Sequence, residues 1–329
     1  MFQISVLSKT VMVFLVILIE ISTVHAQSKD AKDGADGKYV DYTLQHDGLK
    51  REYTIRTPTK FKPTEKLPVM FVLHGGGKDD GRATAKRFNF ENLADINRFI
   101  VVYPSGIQAQ WNDGRGRTFR RGRNSDVDDV SYLSTLIDLV ISRWHADASR
   151  IYFTGASNGG MMTHRIGIEL THKVAAIAPI IANIPERLST LKPEKRLPVL
   201  IINSTGDPLV PFQGGHVTVL GRKLGKVTST NDSIKFWIQN NFLSSNPKLT
   251  QLEDIDPDDG CRVSVTKYGS DSNFPVVLYK VIGGGHTIPG MSGKTKKAIV
   301  GRTCMDFKAT EAVWDFCKNY RRTTTPEKK

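Results

Sequence analysis

A glycine-rich turn lies between an apolar run and a helical pattern near the middle of the chain. The apolar run is Ile151–Thr154, the turn is Gly155-Ala-Ser-Asn-Gly-Gly160, and Met161–Leu170 follows with helical spacing. The turn fits Gly-x-Ser-x-Gly, in which flanking glycines let the backbone bend sharply and expose a serine hydroxyl above a sheet. This order predicts that Ser157 is a nucleophile on a strand-to-helix turn. A purely structural glycine turn is the alternative interpretation.

The same alternation of apolar runs and helical patterns continues along the chain. The predicted strands are Leu67–Leu73, Phe99–Tyr103, Val174–Ile181, Leu197–Ile202 and Val276–Ile282, and the further predicted helices are Val130–Trp144, Asn231–Asn241 and Ala309–Tyr320. Asp47-Gly48 predicts a hairpin turn between Tyr42–His46 and Arg51–Arg56. Continuous apolar strands that alternate with helices predict an α/β fold whose mostly parallel central sheet is covered by helices on both faces. Since neither a repeat nor a linker interrupts residues 40–320, we expect a single catalytic domain there.

Residues 1–26 have the layout of a secretory signal peptide. Lys9 precedes the apolar run Val11–Ile19, and Val24-His25-Ala26 provides small residues for cleavage after Ala26. The apolar run is much shorter than the ~20 residues that a membrane-spanning helix needs. We therefore expect a secreted protein, extracellular or periplasmic, without stable membrane insertion. Residues 27–39 are expected to form a flexible leader, and residues 321–329 a disordered basic tail.

The three cysteines, Cys261, Cys304 and Cys317, would mature in an oxidising compartment. One pair can form a disulfide and leave one thiol free, and the sequence leaves all three pairings open. None of the three lies in a glycine-rich turn beside a strand, so a catalytic cysteine is not expected. No Cys or His cluster has zinc-ligand spacing, and the chemistry inferred here requires neither a metal nor an organic cofactor.

An acid and then a histidine are expected downstream of a nucleophilic Ser157. Asp207 lies on the loop after the predicted strand Leu197–Ile202, although a turn aspartate before a proline is also common. His286 follows three glycines on the loop after Val276–Ile282. The three residues in this order predict a nucleophile, an orienting acid and a general base.

Another glycine run, His74-Gly75-Gly76-Gly77, follows the predicted strand Leu67–Leu73. Backbone N–H groups in such a run can approach a tetrahedral oxyanion without obstruction by side chains. The N–H groups of Gly76 and Asn158 are the expected oxyanion donors, with Gly77 as a near alternative. A plain glycine turn remains the other interpretation.

These motifs resemble those of the secreted polyhydroxybutyrate depolymerase/feruloyl esterase family of α/β-hydrolases. The resemblance is carried by Leu73–Gly77, Trp111–Asp113, Asp128–Val130, Gly155–Gly160, Gly206–Pro208, Val210-Pro211 and Gly283–Gly290, and it covers roughly residues 41–320. It implies the α/β-hydrolase fold, carboxylic ester hydrolysis, and a triad at Ser157, Asp207 and His286.

One position departs from the family pattern. The family usually has a tryptophan two residues after its histidine, where this chain has Ile288. The absence of that aromatic side chain argues against bulky aromatic acyl groups. Trp111, Ile288 and Arg120 are the candidate substrate contacts.

The chain is basic, with 46 Lys and Arg against 33 Asp and Glu and a net charge of +13. Five arginines fall within Arg115–Arg123. This segment is either a solvated surface loop or a contact surface for an acidic polymer such as a uronate-bearing polysaccharide. Nucleic acid is not an expected partner, because interleaved aromatic residues and a recognised binding module are lacking.

Three functions remain open from the sequence. The first is a secreted serine esterase that removes feruloyl or acetyl groups from polysaccharide. The second is a depolymerase or oligomer hydrolase for hydroxyalkanoate polyesters, although no polymer-binding module is visible. The third is a catalytically silent binding protein, or a peptidase, on the same fold.

Overall fold

The computed structural model describes residues 27–28, 36–77, 79–116, 126–291 and 297–322. The strands are β1 (Gln27–Ser28), β2 (Tyr39–His46), β3 (Leu49–Arg56), β4 (Val69–Leu73), β5 (Ile100–Pro104), β6 (Ile151–Ala156), β7 (Ala176–Ile180), β8 (Val199–Ser204), β9 (Gly215–Val219), β10 (Arg222–Val227), β11 (Lys248–Gln251), β12 (Arg262–Tyr268) and β13 (Val276–Ile282). The helices are α1 (Gly81–Phe88), α2 (Glu91–Asn97), α3 (Asp129–Trp144), α4 (Asn158–Glu169), α5 (Thr230–Asn240), α6 (Lys297–Val300) and α7 (Ala309–Cys317).

One large sheet organises the molecule, with the strand order β1-β2-β3-β5-β4-β6-β7-β8-β13-β12-β11. The strands from β5 to β13 in this order are parallel, whereas both flanks pair antiparallel. The crossover that places β4 between β5 and β6 leaves the carboxyl ends of β4 and β6 side by side. Ligands of open α/β sheets bind at such carboxyl ends. The predicted α/β-hydrolase fold is confirmed, and its parallel part is the centre of the sheet.

The central strands are buried on both faces because alternate side chains point to opposite sides of the pleat. In β4, Phe71 packs into the apolar core on one face of the sheet and Met70 into the core on the other. Leu133 of α3 belongs to the first core, and Trp314 of α7 belongs to the second. The continuous apolar runs in the sequence therefore reflect a sheet that is covered on both sides.

Several elements differ from the sequence predictions. Helix α4 begins at Asn158, three residues before the expected Met161, because the turn at Ser157 leads directly into it. The α1–α2 pair, the β9–β10 hairpin and the β11–β12 pair were not predicted. The hairpin includes His216 at an exposed position of β9.

The expected boundaries at the two ends also shift. Gln27–Ser28 pairs with β2, and β2 begins at Tyr39, so parts of the expected leader are strand. At the other end, the Arg322 N–H donates to the Ser149 carbonyl at 2.8 Å, so the expected tail begins against the domain. The predicted signal peptide at residues 1–26 and the tail residues 323–329 lie outside the described part of the chain. None of the helices within the described ranges is long and apolar enough to cross a membrane.

Candidate active site

Ser157 lies at the tight turn between β6 and α4. Its backbone has φ 57° and ψ −119°, a conformation that costs a non-glycine residue free energy and is concentrated at functional sites. The turn is held against its neighbours, since the Ser157 N–H donates to the Ile180 carbonyl at 3.0 Å. A Cβ on Gly159 would lie 2.4 Å from the carbonyl oxygens of Leu73 and His74. The glycine therefore lets the first turn of α4 pack directly onto the end of β4.

Asp207 and His286 meet at the carboxyl ends of β8 and β13. The distance between His286 Nδ1 and Asp207 Oδ2 is 2.7 Å, and the two side chains are 10% and 2% exposed. The other carboxylate oxygen, Oδ1, accepts the N–H groups of Leu209 and Val210, both at 2.8 Å. Because the Asp207 carboxylate is an acceptor, Nδ1 carries the proton and Nε2 is left as the basic nitrogen.

The loop that carries His286 is clamped from the side of α6. The Gly285 N–H donates to the Arg302 carbonyl at 2.8 Å, and the His286 N–H donates to the Val300 carbonyl at 2.5 Å. A Cβ on Gly285 would lie 2.1 Å from the Val300 oxygen. Only glycine permits this approach, which accounts for part of the glycine run before the histidine.

The structure distinguishes between the two expected oxyanion donors after β4. The Gly77 N–H donates to the Ala109 carbonyl at 3.3 Å and is therefore engaged within the protein. Gly76 and Gly77 both line the same cavity as Ser157 and Asn158, so the hydrogen bond of the Gly77 N–H is what separates them. Gly76 and Asn158 are therefore the better pair of candidates.

His74 was not singled out from the sequence, although it stands directly before the glycines. Its Nε2 accepts the Gly106 N–H at 2.8 Å, so Nδ1 carries the proton and donates to the Gly75 carbonyl at 2.7 Å. In a trans peptide the C=O and the next N–H point in opposite directions. Holding the Gly75 carbonyl therefore fixes the direction of the Gly76 N–H. Burial lowers the pKa of His74 to about 4 and keeps the ring neutral.

The side chain of Asn158 is bonded on both sides. Its Oδ1 accepts the Trp111 N–H at 2.8 Å, and its Nδ2 donates to Asp113 Oδ2 at 2.6 Å. Trp111 itself is 0% exposed, and its indole N–H donates to the His74 carbonyl at 3.0 Å. The prediction that Trp111 contacts substrate is therefore wrong. The residue packs behind the site and supports Asn158 and His74.

Arg115 is also internal rather than part of a solvated basic loop. It is 6% exposed, and its Nη2 lies 2.7 Å from Asp113 Oδ2. Its Nη1 donates to the Leu224 carbonyl at 3.2 Å. Arg115 is therefore not part of a solvated surface loop, and it lines the cavity beside Ser157. The other four arginines of the segment, including Arg120, lie outside the described residues.

A cavity of about 650 Å³ opens beside Ser157 and His286. Ile288 lines this cavity, at the position where the resembling family usually has an aromatic residue. Its other aliphatic lining residues are Ile181, Leu209, Val217, Val219, Leu224, Met291 and Val300. The cavity is therefore largely aliphatic, and Lys86, Arg87, Gln110 and Arg115 line it as well, together with Ser157 and His286.

Two of the cysteines come together at a distance from this cavity. The Sγ atoms of Cys261 and Cys304 and a carboxylate oxygen of Asp259 all lie within 4.8 Å of one another. Both cysteines are 1% exposed, and Cys317 is buried separately in α7.

Comparison with known proteins identifies esterases as relatives. The chain is 26% identical to the Nocardia uniformis subsp. tsuyamanensis protein NocK, named as an esterase, over 77% of this chain and 74% of that protein. It is also 26% identical to feruloyl esterase B of Piromyces equi and to the bifunctional acetylxylan esterase/xylanase XynS20E of Neocallimastix patriciarum. These matches cover 72% and 54% of this chain, but only 42% and 24% of the two relatives.

Among solved structures, the acetyl xylan esterase from Aspergillus awamori matches 80% of this chain and 94% of its own, with 15% identity and a TM-score of 0.49. No protein-family model matches the chain. The chain thus has the α/β-hydrolase fold by its strand order, and the relatives described above are named as esterases.

Proposed function

We propose that this protein is a secreted serine carboxylic ester hydrolase that acts through an acyl-enzyme. One observation carries the proposal: Ser157, with its strained backbone, and His286, bonded to Asp207, line one largely aliphatic cavity. The esterase names of the relatives agree with this chemistry.

The mechanism follows from the positions of these groups. His286 Nε2 removes the proton from Ser157 Oγ as the oxygen attacks the ester carbonyl, and the Asp207 carboxylate stabilises the resulting imidazolium. The N–H groups of Gly76 and Asn158 stabilise the tetrahedral oxyanion. His286 then protonates the leaving alcohol, and a water molecule activated by the same nitrogen hydrolyses the acyl-enzyme.

The proposed substrates are feruloyl or acetyl esters on polysaccharide, since two of the relatives are named for these activities. Hydroxyalkanoate esters are the alternative, suggested by the sequence motifs alone. A panel of methyl ferulate, acetylated xylan and hydroxybutyrate oligomers separates these substrates. The substrate with the highest kcat/KM identifies the acyl class.

Replacement of the nucleophile tests the reaction itself. Ser157→Ala should lower kcat on p-nitrophenyl butyrate by at least ~10⁴-fold, because the acyl-enzyme can no longer form. Ser142→Ala, at an exposed serine on α3, is the matched control and should retain full activity. Retained activity in the Ser157 variant would refute the serine mechanism. Cleavage of a peptide amide by the wild type would instead favour a peptidase.

A further inference from the structure

The β9–β10 hairpin forms a wall that is separate from the main sheet. Val217 and Leu224 of the hairpin pack with Met161 and Val210 in a small apolar core of their own. Met161 lies on α4, the helix that starts after Ser157, and Val210 follows Asp207. The hairpin is therefore anchored to both the nucleophile helix and the acid loop.

A buried ion pair connects this hairpin to the oxyanion side of the site. Asp113 Oδ2 receives both the Asn158 amide, at 2.6 Å, and the Arg115 guanidinium, at 2.7 Å. Arg115 Nη1 in turn donates to the Leu224 carbonyl. A Cβ on Gly225 would lie 2.8 Å from the Arg115 carbonyl oxygen, so the glycine lets the hairpin backbone approach Arg115 closely. Because Asp113 and Arg115 are both buried, these charge-assisted bonds hold the hairpin at a fixed position relative to Asn158.

The hairpin gives the cavity an aliphatic surface. Val217, Val219 and Leu224 line it from this side, and Ile181 and Ile288 line it as well. Within the described ranges, no Phe, Tyr or Trp ring and no carboxylate lines the cavity, and its polar lining includes Lys86, Arg87, Gln110 and Arg115. An acetyl group would leave most of this wall uncovered, whereas each further methylene of an acyl chain could bury apolar area against it.

We infer that the β9–β10 hairpin is the acyl-specificity wall, and that the substrate is an ester whose acyl group has an apolar body larger than acetyl. The bonds among Asn158, Asp113, Arg115 and Leu224 hold this wall beside the helix that follows the nucleophile. The inference rests on the proposed ester hydrolysis and narrows its substrate class.

A series of p-nitrophenyl esters from acetate to octanoate tests the inference on the purified protein. In the wild type, kcat/KM should rise at least ~10-fold from acetate to the best longer chain, the size of effect typical of small apolar pockets. Val219→Phe, at a half-buried lining position, should lower the ratio of longer-chain to acetate kcat/KM at least ~10-fold.

Thr218→Phe is the matched control, since Thr218 is also half-buried and lies on the opposite face of the same strand. Equal ratios of longer-chain to acetate kcat/KM in the Val219→Phe and Thr218→Phe variants would overturn the inference. If Val219→Phe fails to fold by circular dichroism, Val219→Ala decides: the preferred chain should lengthen, and an unchanged preference overturns the inference. If the wild type has the same kcat/KM on acetate as on every longer ester, the inference is also overturned, but the proposed function stays intact. Absence of Ser157-dependent hydrolysis of any ester removes both.

Discussion

Individual residues of this site act mainly by fixing backbone groups. His74 holds the Gly75 carbonyl through Nδ1 and accepts the Gly106 N–H through Nε2, so a neutral ring with one defined tautomer is required. Trp111 and Asn158 complete the support behind the proposed oxyanion donors. The groups that would contact the transition state are thus backbone N–H groups, whose direction depends on buried side chains.

Replacement of His74 should therefore lower kcat more than it changes KM. In His74→Phe the Gly75 carbonyl loses its donor, and we expect kcat on p-nitrophenyl butyrate to fall by roughly 10- to 100-fold, below the ~10²–10³ for loss of a direct donor. His74→Gln keeps one donor and one acceptor and should recover part of the loss. Equal kcat values for the Phe variant and the wild type would contradict the positioning role.

Single-residue roles differ in how well local sequence predicts them. Ser157 and His286 follow recognisable strand ends beside glycines, so local sequence was enough to nominate them. The burial of Trp111 and Arg115 depends on Asn158 and Asp113, and this packing has no local signature. Sequence reasoning therefore placed both side chains in contact with substrate or solvent, where the structure shows them inside the protein.

At the scale of elements, the continuous buried strands and the Asp47-Gly48 hairpin were predictable from the sequence, whereas the β9–β10 hairpin and the β11–β12 pair were not. β4 to β8 are continuous apolar runs because helices cover both faces of the sheet. The β9–β10 hairpin instead carries charged residues, exposed positions and glycines around Val217 and Leu224. Its apolar residues are too few to produce a clear alternating pattern. The wall that we assign to acyl specificity was missed for this reason.

The segment before β12 is hydrogen-bonded to the segment after α6, and Cys261 and Cys304 lie there as neighbouring free thiols. Cys261 lies directly before β12, and Cys304 follows the Val300 and Arg302 carbonyls that clamp the histidine loop. We propose that these two cysteines, rather than Cys317, form the disulfide expected in an exported protein. Two thiols and oxidised glutathione would yield this disulfide and two molecules of reduced glutathione. Burial raises the pKa of the Cys261 thiol to about 12, so the bond should form before the pair is buried.

Peptide mapping of the protein, purified without reductant, tests this pairing. Alkylation after denaturation should label Cys317 alone, and one cross-linked peptide pair should contain Cys261 and Cys304. Since the bond closes a loop of about 43 residues, its loss in Cys304→Ser should lower the free energy of unfolding by up to about 4 kcal/mol. Cys317→Ser is the control that leaves the bond intact. Labelling of all three thiols would refute the disulfide, and stoichiometric bound metal in the isolated protein would assign the cluster with Asp259 to a metal instead.

At the scale of the whole molecule, two histidines, His74 and His164, are fully buried in the fold. His74 directly follows β4. His164 lies within α4, where its Nδ1 accepts the Trp237 indole N–H at 3.2 Å. Burial lowers their pKa values to about 4 and about 3. Both rings must therefore remain neutral for the fold to keep its packing, although neither belongs to the proposed triad.

These two histidines should make stability fall as the pH is lowered from 7 to 5. The unfolded chain binds protons at these rings near the ordinary pKa of ~6.5, whereas the folded chain does not until the pH approaches 4. The contribution of each neutral ring to the free energy of unfolding is thus fully present above pH ~6.5 and is lost as the pH falls. We expect a loss of about 2 kcal/mol for each ring between pH 7 and 5. Urea unfolding at the two pH values measures the difference. His164→Gln should remove about half of it, and His216→Gln, at an exposed histidine, should leave it unchanged. Equal stability of the wild type at pH 7 and 5 would show that the buried rings are not held neutral.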